Sequence, residues 1–273
     1  MEGTTHRTSV KNRGKSDQEK RREEALRSQQ EARRSVINNA RRITSIEDVA
    51  IEGNFTDMVN VQTDQTMMEV SSADAKAKRQ EAIEAKRSTF WKDRLMQPEP
   101  LNDIPSDLKG GWMCVPYPVE TERCLIITTP NITTARRSSD GTIFCRFRSR
   151  LPPNTLLDAA VDMQNNIVYV LDLMSWNGHL YYDCSTDFRF FWLNNKLTEE
   201  DYTSVSRNNE FVISPLPSCE VDWSDLNAAA TRLKGVQSVL LYSKATHYTP
   251  GVTPLMCHVE VGRVQELFDQ LMQ

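Results

Sequence analysis

The stretch YVLDLMSWNGHLYYDCSTDFRFFWL at positions 169–193 holds eight aromatic residues in 25 positions. Charged residues stand between the rings, among them Asp172 and Arg189. Asn177 and Gly178 form the dipeptide that most strongly signals a two-residue hairpin turn. Aromatic and β-branched residues on both sides of this turn favour strands. The strands predicted from this stretch cover residues 167–176, 180–183 and 188–193. Its rings are therefore expected to build a central core.

The acids of this stretch allow two interpretations. Hydrolysis by paired carboxylates needs two acids in one cleft, and Asp172, Asp183 and Asp187 could supply them. Hairpins also carry acids for structural reasons, for example an ion pair between Asp187 and Arg189. The chain has four scattered histidines, no CxxC pair and no glycine-rich phosphate loop. A metal site, a Ser-His triad and a nucleotide-binding loop therefore have little support.

The rest of the C-terminal part alternates short β-type runs with helical segments. Further strands are predicted at 112–117, 123–129, 142–147 and 238–243, the first two as a hairpin. Helices are predicted at 156–163, 224–234 and 261–272. A leading helix at 75–96 is expected to end before Pro98 and Pro100. Strands in hairpins with helices at intervals predict an α+β domain with a largely antiparallel sheet over residues 75–273.

The N-terminal part has a different composition. Residues 1–42 carry 12 Lys or Arg against 6 Asp or Glu, although the whole chain has a net charge of −4. Residues 16–42 lack Pro and Gly and begin with a capping-box pattern, which predicts a helix. Its few apolar side chains favour a helix that is solvated or bound by an acidic partner. Residues 1–15 are expected to be disordered, and the acidic residues 43–74 to form a flexible linker.

Composition also limits where the protein is expected to work. No apolar run approaches the roughly 20 residues of a membrane span, and the N-terminus lacks a signal peptide's hydrophobic segment. The six cysteines are scattered along the chain. The protein is therefore expected in the cytosol or nucleus with reduced thiols. We predict no membrane partner, metal ion or cofactor.

Three fragments, in chain order, resemble the nucleotide-binding motifs of the mRNA guanylyltransferase and ligase family. They are RRSSDG at 136–141, VYVLDLMSWNGHLYYDC at 168–184 and VLLYSKATHYTPGVTPLM at 239–256. In that family a KxDG motif supplies the lysine nucleophile, whereas this chain has Ser138 at the lysine position. A neutral hydroxyl cannot form the lysyl phosphoramidate, and the late segment lacks the family's two lysines. The resemblance implies the family's nucleotide-binding fold without its nucleotidyl transfer.

Most of the chain resembles the snurportin family of nuclear import adaptors. The resemblance rests on LNDIPSDLKGGW at 101–112, YVLDLMSWNGHLYYDCSTDFRFFW at 169–192 and YSKATHYTPGVTPL at 242–255. It implies a non-catalytic domain that binds the 5′ trimethylguanosine cap of U snRNAs. It also implies a link from the ribonucleoprotein to importin-β, with shuttling between nucleus and cytoplasm.

The resemblance further implies which residues meet the methylated base. The family stacks the base on a late tryptophan, and this chain has His258 there. Histidine can stack but offers a smaller ring. An earlier serine and a second tryptophan of the family fall on Pro98 and Pro100. Proline can pack against a flat base but donates no side-chain hydrogen bond.

Basic residues are implied for the phosphates. Arg123 matches a family residue that faces the cap, and Arg137 and Ser139 lie where the family has a lysine. Arginine suits phosphate because its planar fork makes paired, charge-assisted hydrogen bonds. Three more arginines would share one face of the following strand if that strand continued: Arg146, Arg148 and Arg150. A solvated basic face is the alternative interpretation of this set.

The N-terminal helix is similar to the family's importin-β-binding segment, which an acidic superhelical receptor wraps. The arginines implied in that contact are Arg21, Arg22, Arg33, Arg34, Arg41 and Arg42. The acidic linker would keep this arm detached from the domain. The family also has an apolar exportin-contacting segment before the helix, and MEGTTHRTSVKNRG lacks its spacing. Recycling by an exportin is therefore left open.

Two alternatives to the adaptor interpretation stay open on the sequence. One is a nucleotidyltransferase-like or cap-hydrolysing enzyme that uses Asp172 or Asp183. The other keeps the adaptor design but loses the preference for trimethylguanosine over 7-methylguanosine, because both aromatic positions of the family have changed.

Overall fold

The computed structural model describes residues 16–44 and 72–271. The expected disordered segment at 1–15, and residues 45–71 of the expected linker, lie outside the described residues. The described part contains six helices. They are α1 (Asp17–Thr44), α2 (Ser72–Trp91), α3 (Leu108–Gly111), α4 (Thr186–Glu199), α5 (Trp223–Ala230) and α6 (Val261–Leu271).

The strands of the described part form two sheets. The first sheet contains β1 (Met96–Pro100), β2 (Trp112–Pro118), β10 (Cys219–Glu220), β11 (Val236–Ser243) and β12 (Gly251–Glu260), in the order β1-β12-β11-β2-β10. The second contains β3 (Glu122–Thr128), β4 (Thr133–Arg137), β5 (Ile143–Phe147), β6 (Leu156–Asp162), β7 (Ile167–Trp176), β8 (His179–Leu180) and β9 (Val212–Pro215). Its order is β5-β4-β3-β6-β7-β8, with β9 beside β7. Only β1–β12 and β7–β9 pair in parallel among these strands.

The main core lies between the two sheets. Leu125 of the second sheet and Leu240 of the first belong to one buried cluster. The outer face of the second sheet packs with Leu193 of α4 in another cluster. The outer face of the first sheet packs with Leu226 of α5 and Phe268 of α6. The molecule is thus a layered α+β structure, as predicted.

Several predicted elements are confirmed. Strands β5, β7 and β11 and helices α5 and α6 lie where the sequence predicts them. Asn177 and Gly178 both have positive φ, 49° and 80°, as a type I′ turn requires. The N-terminal helix α1 is also present, and the hydroxyl of Ser16 accepts a hydrogen bond from the Glu19 amide at 3.2 Å.

The predicted hairpin of 112–117 with 123–129 is wrong. Both segments are strands, but β2 pairs with β11 and β10 in the first sheet, whereas β3 pairs with β4 and β6 in the second. Neighbouring runs suggest a hairpin, but the partners of β2 come more than 100 positions later. Pairing over such a separation leaves no local signal.

The predicted strand at 188–193 is wrong, because these residues belong to helix α4. Phe190, Leu193 and Leu197 are buried, and their spacing of three and four residues is helical. Phe188 and Phe191 are 46% and 67% exposed on the other side of the helix. The quoted stretch is therefore a strand, a tight turn, a short strand and a helix.

The predicted helix at 156–163 is also wrong, because Leu156–Asp162 is strand β6. All seven residues of β6 are buried, and the strand lies between β3 and β7. A strand covered on both faces shows no alternation of polar and apolar residues. Its sequence, LLDAAVD, therefore cannot be told from a buried helix by periodicity.

Helix α1 is not fully solvated in its first half. It contacts β12 and β8, and Gln18 and Arg22 are buried. The expectation that α1 has too little apolar area to pack on the domain is therefore wrong for this half. The contacts that replace apolar packing are polar, and they are described below.

Candidate functional site

Strands β1 and β12 bring together two residues assigned above to the methylated base. Pro100 lies opposite His258 in the register. His258 also lies opposite Leu240 of the inter-sheet core. Since directly opposed residues project to the same face of a sheet, Pro100 and His258 face the second sheet. Pro100 is exposed and His258 is half-buried, so this pair lies at an accessible margin of the cleft between the sheets.

Pro98 lies on the same edge strand but follows a different register. It is opposite Thr253, and the register shifts between Pro98 and Glu99. Two prolines are tolerated in β1 because it is an edge strand, where a missing N–H donor costs little. Because of this shift, Pro98 pairs with β12 in a different register from Pro100, which lies opposite His258.

Arg123 holds β1 to the second sheet. Its Nε and Nη2 donate to the two carboxylate oxygens of Asp158 at 3.0 and 2.7 Å, and Nη2 also donates to the Met96 carbonyl at 2.6 Å. Burial alone would lower the pKa of Arg123, but the carboxylate of Asp158 outweighs it and raises the pKa above its ordinary value. The side chain is 13% exposed. The structure thus places an ion pair of Arg123 with Asp158 at the cleft, whereas a contact of Arg123 with phosphate stays a prediction.

Gln97 and Tyr117 also belong to this cleft, although no sequence motif marks either residue. Gln97 donates to the hydroxyl of Ser138 at 2.7 Å, and the Ser138 amide donates to the Arg123 carbonyl at 2.8 Å. The turn at the altered lysine position is therefore tied to β1. Tyr117 packs against the inter-sheet core, and burial raises its pKa to about 12. Its hydroxyl stays protonated at neutral pH and can donate a hydrogen bond.

Arg137 and Ser139 lie apart from Arg123. Arg137 is opposite Cys124 in the β3–β4 ladder, so it projects to the outer face while Arg123 projects into the cleft. Its guanidinium lies 4.7 Å from the ring centroid of Phe144. Ser139 is exposed in the turn after β4. The structure does not place the predicted phosphate contacts on one surface.

The three further arginines do not share a strand. Strand β5 ends at Phe147, so the alternation stops after Arg146. Arg148 binds Glu210 at 3.0 Å, and Arg150 donates to the Asp201 carbonyl at 2.8 Å. These contacts to loops of the domain favour a structural role for Arg148 and Arg150.

The acids of the quoted stretch have structural partners. Arg189 donates through Nε and Nη2 to the two carboxylate oxygens of Asp172, both at 2.8 Å, and neither side chain is exposed. The suggested pair of Asp187 with Arg189 is wrong, since Asp187 accepts from the Phe188 amide at 2.8 Å. Asp183 lines a cavity beside α1, away from Asp172's buried pair.

A buried polar layer connects the two ion pairs. Asp158 and Asp172 are opposite each other in the β6–β7 ladder. The Tyr248 hydroxyl donates to Asp158 at 3.0 Å and accepts from the Met96 amide at 3.0 Å. The Arg189 guanidinium lies 5.6 Å from the Tyr248 ring centroid. Each acid of this layer is therefore bound to a guanidinium, an arrangement that clamps the sheets.

The structure describes the side chains of two of the six arginines that are predicted to contact importin-β. Arg21 is exposed and binds Glu99 at 2.6 Å. Arg22 is buried against the domain. The side chains of Arg33, Arg34, Arg41 and Arg42 lie outside the described residues, although α1 runs through these positions.

Among the side chains that the structure describes within residues 16–44 and 72–271, no group of three or more His, Cys, Asp or Glu could hold a metal ion. In the same ranges, no helix combines the length and the apolar character needed to cross a membrane.

The fold and this site define an α+β binding domain of two facing sheets, with an exposed edge strand at its cleft. Residues 94–260 match the family described as Snurportin1, m3G cap-binding domain. The match covers more than half of the chain, and the chain belongs to this family. The resemblance noted in the sequence is thereby confirmed.

Solved structures of DNA ligases are also similar to this chain at low identity. A structure of Lig E DNA ligase shares 12% identity, covers 61% of this chain and 68% of its own, and has a TM-score of 0.41. A mycobacterial DNA ligase D complexed with ATP and MES shares 14% identity, with coverages of 62% and 61% and a TM-score of 0.42. The ligase domain of LigD from M. tuberculosis shares 14%, with coverages of 62% and 60% and a TM-score of 0.42. The chain thus spans about three fifths of these two mycobacterial chains.

Proposed function

We propose that this protein is a nuclear import adaptor. Its domain binds the 5′ trimethylguanosine cap of U snRNAs, helix α1 binds importin-β, and the protein shuttles between nucleus and cytoplasm. The family match over residues 94–260 supports the cap-binding part of the proposal, because that segment includes both β1 and β12, whereas the receptor part rests on the sequence of α1. The surface formed by Pro100 and His258 is therefore inside the matched cap-binding domain.

The cleft offers the chemistry that a hypermethylated cap requires. Pro100 and the ring of His258 present flat, largely apolar surfaces against which extra methyl groups lose contact with water. Arg123 lies nearby, and although Asp158 balances its charge, its Nη1 is the group that can donate a charge-assisted hydrogen bond to phosphate. Gln97 and Tyr117 add neutral polar groups.

Helix α1 offers the chemistry that an acidic receptor requires. Its arginines present planar forks that bind carboxylates in pairs, and residues 1–42 carry twice as many basic as acidic residues. Complementary charge of this kind mainly increases specificity and the rate of association.

As an adaptor, the protein catalyses no reaction. Ser138 stands where the resembling enzymes have their lysine nucleophile, and Asp172 is bound to Arg189 without exposure to solvent. Incubation with radiolabelled GTP and with capped dinucleotides is expected to leave the protein unlabelled and the cap intact. A covalent protein–GMP adduct, or cap turnover, would contradict this proposal and support the enzyme interpretation.

A bridging experiment tests the adaptor directly. Importin-β is expected to remain on a trimethylguanosine-cap resin only when the full chain is added, since the chain must bind both. A fourfold alanine variant should still bind the resin but lose importin-β: Arg33, Arg34, Arg41 and Arg42.

A matched variant removes the same charge from exposed positions elsewhere: Lys78, Arg79, Lys86 and Arg263. It should retain importin-β. If the α1 variant also retains importin-β, the proposed receptor contact is refuted.

A further inference from the structure

The first half of α1 docks on the domain through one polar stripe. Gln18, Arg22, Ala25 and Gln29 follow one another at spacings of four, three and four residues, which places them on one helix face. Gln18 and Arg22 are buried, and Ala25 and Gln29 are half-buried. This face contacts β1, the loop after β1, the loop between β11 and β12, and β12 itself.

Gln18 and Gln29 bind backbone groups at the two ends of the stripe. Gln18 donates to the Pro100 carbonyl at 3.1 Å and accepts from the Asp103 amide at 2.9 Å. Gln29 donates to the Ala245 carbonyl at 2.9 Å and accepts from the His247 amide at 3.0 Å. Because each glutamine amide both donates and accepts a hydrogen bond, these contacts fix the position of the helix along the surface of the domain.

Arg22 is the central contact. Its Nη2 donates to the Asp103 carbonyl at 2.8 Å, and its Nε donates to the Pro254 carbonyl at 3.3 Å. The guanidinium lies 5.5 Å from the Trp112 ring centroid. Its Nη1 is buried and has no hydrogen-bond partner among the described residues. The domain thus holds this charged group but leaves one of its donors unsatisfied, which weakens the contact.

Arg21 adds an ion pair with Glu99 of β1 at 2.6 Å. Glu99 is opposite Cys257 in the β1–β12 ladder, next to the pair of Pro100 and His258. Because neighbouring residues in a strand alternate between faces, α1 docks behind the strands whose other face carries the candidate cap residues.

The docked interface is incompletely packed. A cavity of about 260 Å³ lies between Ala25, Ser28 and Gln29 of the helix and Asp183, His247 and Leu255 of the domain. Hydrogen bonds exchanged against water contribute little net stability each, and the cavity removes van der Waals contacts. The interface is therefore suited to reversible release.

We propose that the cap-binding domain competes with importin-β for α1. The inference rests on the proposed function, because it takes importin-β as the second ligand of the helix. A receptor that wraps α1 needs the face that the domain covers, and Arg21 and Arg22 cannot bind the domain and the receptor at once. If α1 is undocked in about one tenth of the molecules, the apparent affinity for importin-β falls about tenfold.

Glu99→Arg in the full chain tests this competition, because it places a positive charge against Arg21. Hydrogen exchange of the backbone amides at 17–29 reports docking, and titration with importin-β reports affinity. The wild-type helix is expected to be protected from exchange. The variant should lose that protection and bind importin-β about 3- to 10-fold more tightly.

Two further variants test whether the effect of Glu99→Arg comes from release of α1, rather than from misfolding or from the added charge alone. Gln29→Ala removes the contacts with Ala245 and His247 from the helix side and should act in the same direction. Glu266→Arg makes the same charge change on the exposed face of α6 and should change neither measurement.

The outcomes distinguish the two proposals. An unprotected helix in the wild-type chain would overturn docking, and lost protection without tighter binding would overturn competition. If neither the wild type nor Glu99→Arg binds importin-β, the proposed function fails and the competition fails with it. Hydrogen exchange would still show whether α1 docks.

Discussion

Asp172 and Arg189 illustrate how a charged residue in an aromatic stretch can be structural. Both side chains have no exposure, and two hydrogen bonds of 2.8 Å join them. Arg189 also donates to the carbonyls of Cys184 and Thr246 at 2.6 and 3.0 Å. The pair therefore connects β7, α4 and the loop after β11. A hydrolytic acid needs access to water and substrate, and Asp172 has neither in this arrangement.

Asp172→Asn is expected to lower the free energy of unfolding by about 3–5 kcal/mol, because it leaves the Arg189 charge buried without a carboxylate. Urea unfolding at neutral pH measures this change. Glu210→Gln is the matched control, since its partner Arg148 and Glu210 itself are 48% and 38% exposed, and exposed pairs contribute at most about 1 kcal/mol. Equal losses in the two variants would refute the structural role assigned to Asp172.

At the scale of elements, the sequence predicts the strands that contain several β-branched or aromatic residues and misses a strand that does not. Strand β7 was predictable because half of its residues are β-branched or aromatic, and β11 because it contains two valines and a tyrosine. Strand β6, LLDAAVD, was not predictable, since it contains a single β-branched residue and, buried on both faces, shows no alternation. The docking stripe of α1 was missed for a related reason. Its residues are glutamines, an arginine and an alanine, and a search for apolar periodicity does not detect a polar interface.

Helix α2 depends on a single glycine in the second sheet's turn. A Cβ at Gly141 would lie 2.1 Å from the Ser88 carbonyl oxygen and 2.7 Å from the Lys92 amide nitrogen, and Gly141 has φ of +74°. Close contact and positive φ both require glycine there. The turn consequently sets how closely α2 can approach β4 and β5.

Gly141→Ala should therefore displace α2 and destabilise the protein by about 1–3 kcal/mol beyond the backbone strain. Gly178→Ala is the control, because Gly178 also has positive φ, +80°, but nothing lies within 4 Å of its added Cβ. Urea unfolding and tryptic cleavage after Lys86 measure both variants. If the two lose the same stability and are cleaved at the same rate, α2 does not depend on Gly141.

At the scale of the whole molecule, the sequence predicts the α+β class because local patterns determine element types. It does not predict that β2 and β3 belong to different sheets, since their pairing partners are distant. The candidate site, too, can be predicted only in part from the sequence. His258 and Pro100 were identified through resemblance to a family, and the β1–β12 ladder places them opposite each other. Gln97 could not be found, because a lone glutamine before a proline carries no recognisable signal.

Competition binding of trimethylguanosine- and 7-methylguanosine-capped dinucleotides to the full chain tests cap recognition most directly. The two extra methyl groups are expected to lose contact with water against Pro100 and His258, at roughly 0.8 kcal/mol each. That corresponds to about a tenfold preference for the trimethylated cap. His258→Ala should reduce the preference, and His179→Ala, an exposed histidine of β8, should not. Equal affinity of the wild-type chain for the two caps would contradict trimethylguanosine recognition.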